Sequence, residues 1–190
     1  MNFEDIQNVN LDHKLFDYFD LSEIQGMQDS FSSATGVASL ITEVDGTPIT
    51  NSSNMCYLCN QIVRKTEKGR KKCILSKSII GSPKINGSRI QKCLGAGLIC
   101  AATSIIIDGK QVANWLIGQV IDEDDEMEDL LAYADVIGVN RDVYKNELVK
   151  VKRMSKQQFE NICNLLYMNA QQLSKFAMKN ISLSKEIEKK

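Results

Sequence analysis

The chain has 190 residues, 43% of them hydrophobic and 25% charged, with a formal net charge of -1. This length suits one domain with a sizeable core plus a helical appendage, and the composition excludes a disordered chain. There is no basic excess to drive nucleic-acid binding, and the longest basic run, from Lys68 through Gly69 to Lys72, reads as a solvated loop or helix end. No secretory signal is visible and no apolar stretch approaches the roughly 20 residues that span a bilayer. The expectation is a soluble, cytoplasmic protein that touches neither membrane nor nucleic acid directly.

In chain order, residues 1–14 read as a leader, 15–150 as a folded domain, and 151–190 as a long terminal helix. Ser22-Glu23-Ile24-Gln25 is a capping-box pattern, Ile24, Met27, Phe31 and Ala34 follow at helical spacing, and Gly36 stops that helix. Residues 37–44 read as a strand, Asp45-Gly46 as a hairpin turn, and Thr47 to Thr50 as the start of the return. Residues 56–66 look helical. Residues 74–92, punctuated by Gly81, Pro83 and Gly87, support only a loop or short helix. A second hairpin follows: 97–107, a turn at Asp108-Gly109, and 111–121. Then come an acidic turn, Asp122 to Glu126, a helix over 127–137 ended by Gly138, and a short helix capped by Asn140. The fold class expected is α+β, one antiparallel sheet with flanking helices.

Ser155-Lys156-Gln157-Gln158 opens a helix of about 34 residues, near 50 Å long at roughly 1.5 Å per residue. Phe159, Leu166, Leu173, Asn180 and Ile187 repeat every seven residues, and Ile162, Asn169, Phe176 and Leu183 form a partner row. This heptad seam suggests a parallel homodimer in which Asn169 and Asn180 help to fix register, with an output domain beyond it in a longer parent. The competing expectation is that the first half of the helix packs on the domain itself.

Six cysteines without a signal peptide should be thiols or metal ligands. Cys56 and Cys59 form a CxxC pair, and Cys73 and Cys93 can complete a four-thiolate site for zinc or an iron–sulfur cluster. Thiol–disulfide exchange by the CxxC pair is the enzymatic alternative, and burial as small hydrophobes is the bland one. Cys163, on the long helix, reads as core. His13 is the only histidine, so histidine-based catalysis finds no support, and a non-enzymatic role is expected. The acidic cluster lacks an EF-hand pattern, and the segment from Cys93 to Gly97 lacks a phosphate-loop Lys-Ser/Thr. Trp115 and Gln119, four apart on the last strand, should share a face and could line a small-molecule pocket.

An ordered set of residues resembles the PocR sensory domain, a PAS-like ligand-binding module of prokaryotic signalling proteins. The set runs from Leu21 to Gln25 and Phe31 to Gly36, through Asp45 to Thr50, Cys59 with Ile62 and Arg64, Gly69 and Cys73, to Cys93 with Ala96-Gly97-Leu98 and Gly118-Gln119-Val120. The resemblance implies a PAS-like sheet with a ligand pocket, short hydrocarbon derivatives as ligands, and an output such as a histidine kinase or a DNA-binding module in cis. Cys59, Cys73 and Cys93 match the family's recurring cysteines. The chain departs from the family where Cys-His-Ala-Gly-Leu is usual: it has one residue more, no His, and Cys100 where an Asp is usual. Leu98 and Cys100 therefore join Trp115 and Gln119 as candidate ligand-binding residues, with Cys100 a substitute thiolate.

Overall fold

A computed structural model describes residues 14–84 and 86–187 of the chain. The expected leader and His13 lie outside the described residues. Helix α1 (Leu21–Thr35) is capped two residues before the expected Ser22, by Asp20, whose carboxylate accepts from Ser22 N at 2.7 Å, and Gly36 ends it as expected. Strand β1 (Ala38–Thr42) follows. Its expected hairpin partner is reduced to isolated bridges, Thr42 to Pro48 and Ser39 to Ser53. A buried glutamine replaces the missing ladder. Gln28 Oε1 accepts from Ile41 N and from the Thr50 hydroxyl, and Gln28 Nε2 donates to Asn51 O at 2.7 Å and Ser53 Oγ at 2.6 Å. Gln28 thus supplements the few backbone bonds that Thr50 and Ser53 make to Ile41 and Ser39, satisfying Asn51 O and Ile41 N where no continuous ladder forms.

The CxxC segment forms a π-helical turn, Leu58–Ile62, that tightens into a 3-10 turn, Val63–Lys65. Thr66 then caps α2 (Glu67–Ile80), accepting from Gly69 N at 3.0 Å. The basic run lies in the first turns of this helix, and the expected loop at 74–80 is its second half. Strands β2 (Arg89–Lys92), β3 (Ile99–Ile107) and β4 (Lys110–Asp122) complete the antiparallel sheet in the order β1-β4-β3-β2. The β3–β4 turn is where it was expected; Asp108 and Gly109 both take positive φ, 50° and 74°, the two-residue turn whose twist matches the strands. Helices α3 (Met127–Ile137) and α4 (Arg141–Leu148) follow, and Asn140 caps α4 by accepting from Asp142 N and Val143 N. A two-residue strand, β5 (Arg153–Met154), pairs in parallel with the end of β4. Helix α5 (Lys156–Ile187) runs 32 residues from Ser155, whose hydroxyl accepts from Gln158 N. No helix among the described residues is long and apolar enough to cross a membrane.

The main core lies between the sheet and helices α1 and α5, around Phe31, Trp115, Phe159, Leu166 and Leu173. A second cluster, Leu58, Leu98, Ile121, Leu130, Tyr144 and their neighbours, joins α3, α4 and the π-helical turn to the end of the sheet. The heptad expectation is corrected in part. Phe159, Ile162, Cys163, Leu166, Ala170, Leu173 and Ala177 are buried against the chain's own sheet. The buried row drifts to 170 and 177, following 3.6 residues per turn instead of seven-residue steps, so Asn180 is exposed and Asn169 lies off the row. Leu165, Met168, Phe176 and Leu183 remain exposed on a separate stripe.

Candidate functional site

Strand alternation along β4 sends Trp115 and Ile117 into the main core, while Leu116 packs with Ile80, Ala102 and Cys100 on the other face. Alternation alone would return Gln119 to the Trp115 face. It does not, because the β3–β4 register slips: Ile99 pairs with Val120 and Cys100 with Gly118, leaving Gln119 as the extra residue of a bulge. Gly118 and Gln119 take φ of 148° and 62° to make this turn. Position 118 must be glycine: a Cβ there would sit 2.6 Å from both Cys100 Cα and Ile99 O. The bulge re-aims Gln119 away from Trp115, so the two do not share a face. Trp115 is fully buried, donates Nε1–H to Ser39 Oγ at 2.8 Å, and meets Phe31 with ring centroids 5.5 Å apart. It belongs to the core and does not line the cavity.

Gln119 borders a cavity between the sheet and α2, with a volume of about 80 Å³ open to the centres of water-sized groups. One face of α2, Cys73, Ser76, Lys77 and Ile80, forms one wall at helical spacing. Leu40, Leu116, Ile117 and Gly118 form the opposite wall, and Met55, Cys59, Val63, Arg64, Cys93, Gly95, Ala96 and Cys100 close the sides. Of the four expected ligand-binding residues, the structure brings Gln119 and Cys100 to the cavity. Leu98 is buried in the second cluster instead. Lys77, Ser76 and Met55 carried no sequence signal that singled them out, although Cys73 to Ile80 has the i, i+3, i+4, i+7 spacing of a single helix face.

Four of the six cysteines form two pairs. Cys56 and Cys59 hydrogen-bond each other across the π-helical turn, which lowers the Cys56 thiol pKa and raises that of buried Cys59 well above the usual thiol value. Gln119 fixes this turn to the bulge, accepting from Cys56 N at 2.8 Å. The second pair is Cys93 and Cys100. Cys93 sits where β2 turns back towards β3, its backbone closed by Cys93 N to Leu98 O and Gly97 N to Cys93 O. Its sulfur accepts from Cys100 and from the backbone amides of Ala96, Gly95 and Leu98, which bring its pKa down to about 6 against the opposing effect of burial. The proton of the pair stays on Cys100, whose pKa is raised well above the usual value. Cys163 lies in the main core, its pKa pushed up to about 12 by burial.

Whether these thiols fit a metal can be tested on their arrangement. Among the described residues, no three His, Cys, Asp or Glu side chains are placed to hold one metal ion. The four cysteines expected to share a metal, Cys56, Cys59, Cys73 and Cys93, are instead distributed over a mutual pair, one wall of α2 and the Cys100 pair.

The sheet carries a cavity on one face and the long helix α5 on the other. The model of the PocR sensory domain, described as the sensory domain found in PocR, matches residues 17–178. The chain belongs to the PocR sensory domain family. The PocR match includes the whole sheet, the cavity walls and α5 as far as its buried row extends. No curated protein and no solved structure matches the chain.

Proposed function

We propose that this PocR domain is a non-enzymatic sensor: it binds a small organic molecule in the cavity between β4 and α2 and relays occupancy to an output domain through α5. One observation carries the reading. The cavity and α5 lie on opposite faces of the same two strands, so any shift of β3 or β4 on ligand entry is felt by the helix. Two polar contacts couple the layers. Ser174 Oγ accepts from Ile106 N at 3.1 Å, and Ser88 Oγ, itself paired with Thr103, donates to Cys163 O at 3.0 Å. A ligand biases this arrangement only by its difference in affinity between two packings. A cytoplasmic setting and a kinase or transcriptional output belong to the same reading. Homodimerisation would use the exposed stripe of Leu165, Met168, Phe176 and Leu183, since the Phe159–Leu173 row is occupied by the sheet.

The test is thermal unfolding with a panel of short alcohols, diols and acids. A true ligand at about 100 times its Kd adds about 2.7 kcal/mol, a rise in Tm of roughly 5–10 °C for a chain of this size. Leu116→Phe, which fills the cavity, should abolish that rise while leaving a cooperative transition. A panel without effect, or a rise that persists in Leu116→Phe, would contradict the reading.

A further inference from the structure

The sensory reading leaves the chemistry of the ligand open, and the inference here rests on that reading. We propose that the cavity takes a short-chain carboxylate, its head held by Arg64 and Lys77 and its hydrocarbon tail lying against Leu40, Ile80 and Leu116.

Charge comes first. Arg64 and Lys77 both line the cavity, and no Asp or Glu does. Neither cation has a carboxylate within ion-pair distance among the described residues; Arg64 Nη1 reaches only Met55 Sδ, a weak acceptor, at 3.3 Å. Burial and the proximity of Arg64 both depress the Lys77 pKa. Two cations facing one apolar space are an unfavourable arrangement that an anion relieves. The Cys93 sulfur is not that anion in full. Its negative form is held chiefly by Cys100 and backbone amides, and one thiolate against two cations still leaves a positive charge unbalanced.

Hydrogen-bond polarity points the same way. Gln119 Oε1 accepts from Cys56 N, and its amide NH₂ adds a donor pair at the cavity border. The Ser76 hydroxyl accepts from Leu94 N at 2.8 Å and keeps its own proton to donate. Arg and Lys are donors without acceptor capacity. The two cations of this lining are donors only, and a carboxylate, an acceptor only, can bond both of them with charge assistance where an alcohol or diol cannot. Size limits the tail: a cavity with about 80 Å³ open to the centres of water-sized groups suits a short chain.

The experiment is calorimetric titration of the full chain with butyrate, 1-butanol and 1,2-propanediol at constant ionic strength. Butyrate should bind about tenfold or more tighter than either neutral probe. Arg64→Gln and Lys77→Gln should each weaken butyrate about tenfold, the loss of one charge-assisted bond, while leaving 1-butanol within about twofold. Far-ultraviolet circular dichroism of both variants keeps a folding defect separate from a binding defect. Neutral probes that bind as well as butyrate, or butyrate affinity unmoved by both substitutions, would overturn the carboxylate and leave the cavity as the sensing site. Failure of all three probes to bind wild type would overturn both.

Discussion

The two faces of the sheet are built from the same strands to opposite standards. On the helix face, Trp115, Ile117, Phe31 and the buried row of α5 close into one continuous core, with Trp115 and Leu166 fully buried. On the cavity face the same strands present Leu116, Gly118 and Cys100 to a wall of thiols and cations, and a space remains. The packed face supplies the stability that lets the other face keep an unfilled volume and two half-exposed cations, Arg64 and Lys77, that form no ion pair with a carboxylate among the described residues. A sensor needs both, since a ligand site packed to the standard of a core would have nothing to admit.

The largest expected effect lies on the packed face. Trp115→Ala should cost about 3–5 kcal/mol, lowering Tm by roughly 6–20 °C in a thermal melt. The variant that remains folded at low temperature should still bind whatever stabilises the wild type, because the indole does not line the cavity. Loss of binding in a folded Trp115→Ala protein would show that the two faces are not separable.

Next in size is the bulge that joins the faces. Gly118→Ala forces a Cβ into Cys100 and Ile99 and strains a φ of 148°. It should cost about 1–3 kcal/mol of stability in denaturant titrations from the backbone conformation alone. It should also lower ligand affinity out of proportion, because Gln119 loses its aim. Equal affinity in Gly118→Ala would remove Gln119 from the site.

The smallest effect sharpens the chemistry of the cavity side. With a pKa of about 6, Cys93 should be alkylated by iodoacetamide at a rate that is near its plateau above neutral pH and falls as pH drops through about 6. Buried Cys163 should stay unreactive in the native protein. The sign for stability follows from a folded pKa below the unfolded one. The contribution is fully present above the ordinary thiol range and is lost as pH falls through about 6, so stability should rise with pH across that window. Cys100→Ala removes the main donor and should move the alkylation midpoint upward. A midpoint unchanged from the wild type would mean that the backbone amides alone hold the thiolate.

Much of this fold was legible in the chain. The second hairpin, the caps at Asn140 and Ser155 and the long terminal helix follow from turn chemistry and periodicity. What was not legible was each place where a side chain or bulge overrides a local rule. Gln28 inserts its amide between β1 and 50–53, bonding Ile41 N and Asn51 O, so the Asp45-Gly46 signal produced isolated bridges and no second ladder. Helix α2 was obscured because its inward face carries Cys73, Ser76 and Lys77 where a core helix would carry Leu or Ile. The run from Val112 to Ile121 is apolar on both faces, so alternation could not reveal the slip at Gln119. Those same departures, α2 and the bulge, make the cavity, as expected when a functional site breaks the patterns that specify the rest. The cysteines were recognised as a set, but their pairing by spacing suggested a shared metal, whereas the fold pairs Cys93 with Cys100 across a turn.

The most direct test of the central claim is hydrogen–deuterium exchange of the full chain with and without a probe that raises Tm, repeated in Leu116→Phe. The account predicts slower exchange in α2 and the 93–98 turn, accompanied by a change in α5 on the far side of the sheet, and no response in Leu116→Phe. Protection confined to another surface, or a cavity-face response that leaves α5 unchanged, would contradict it.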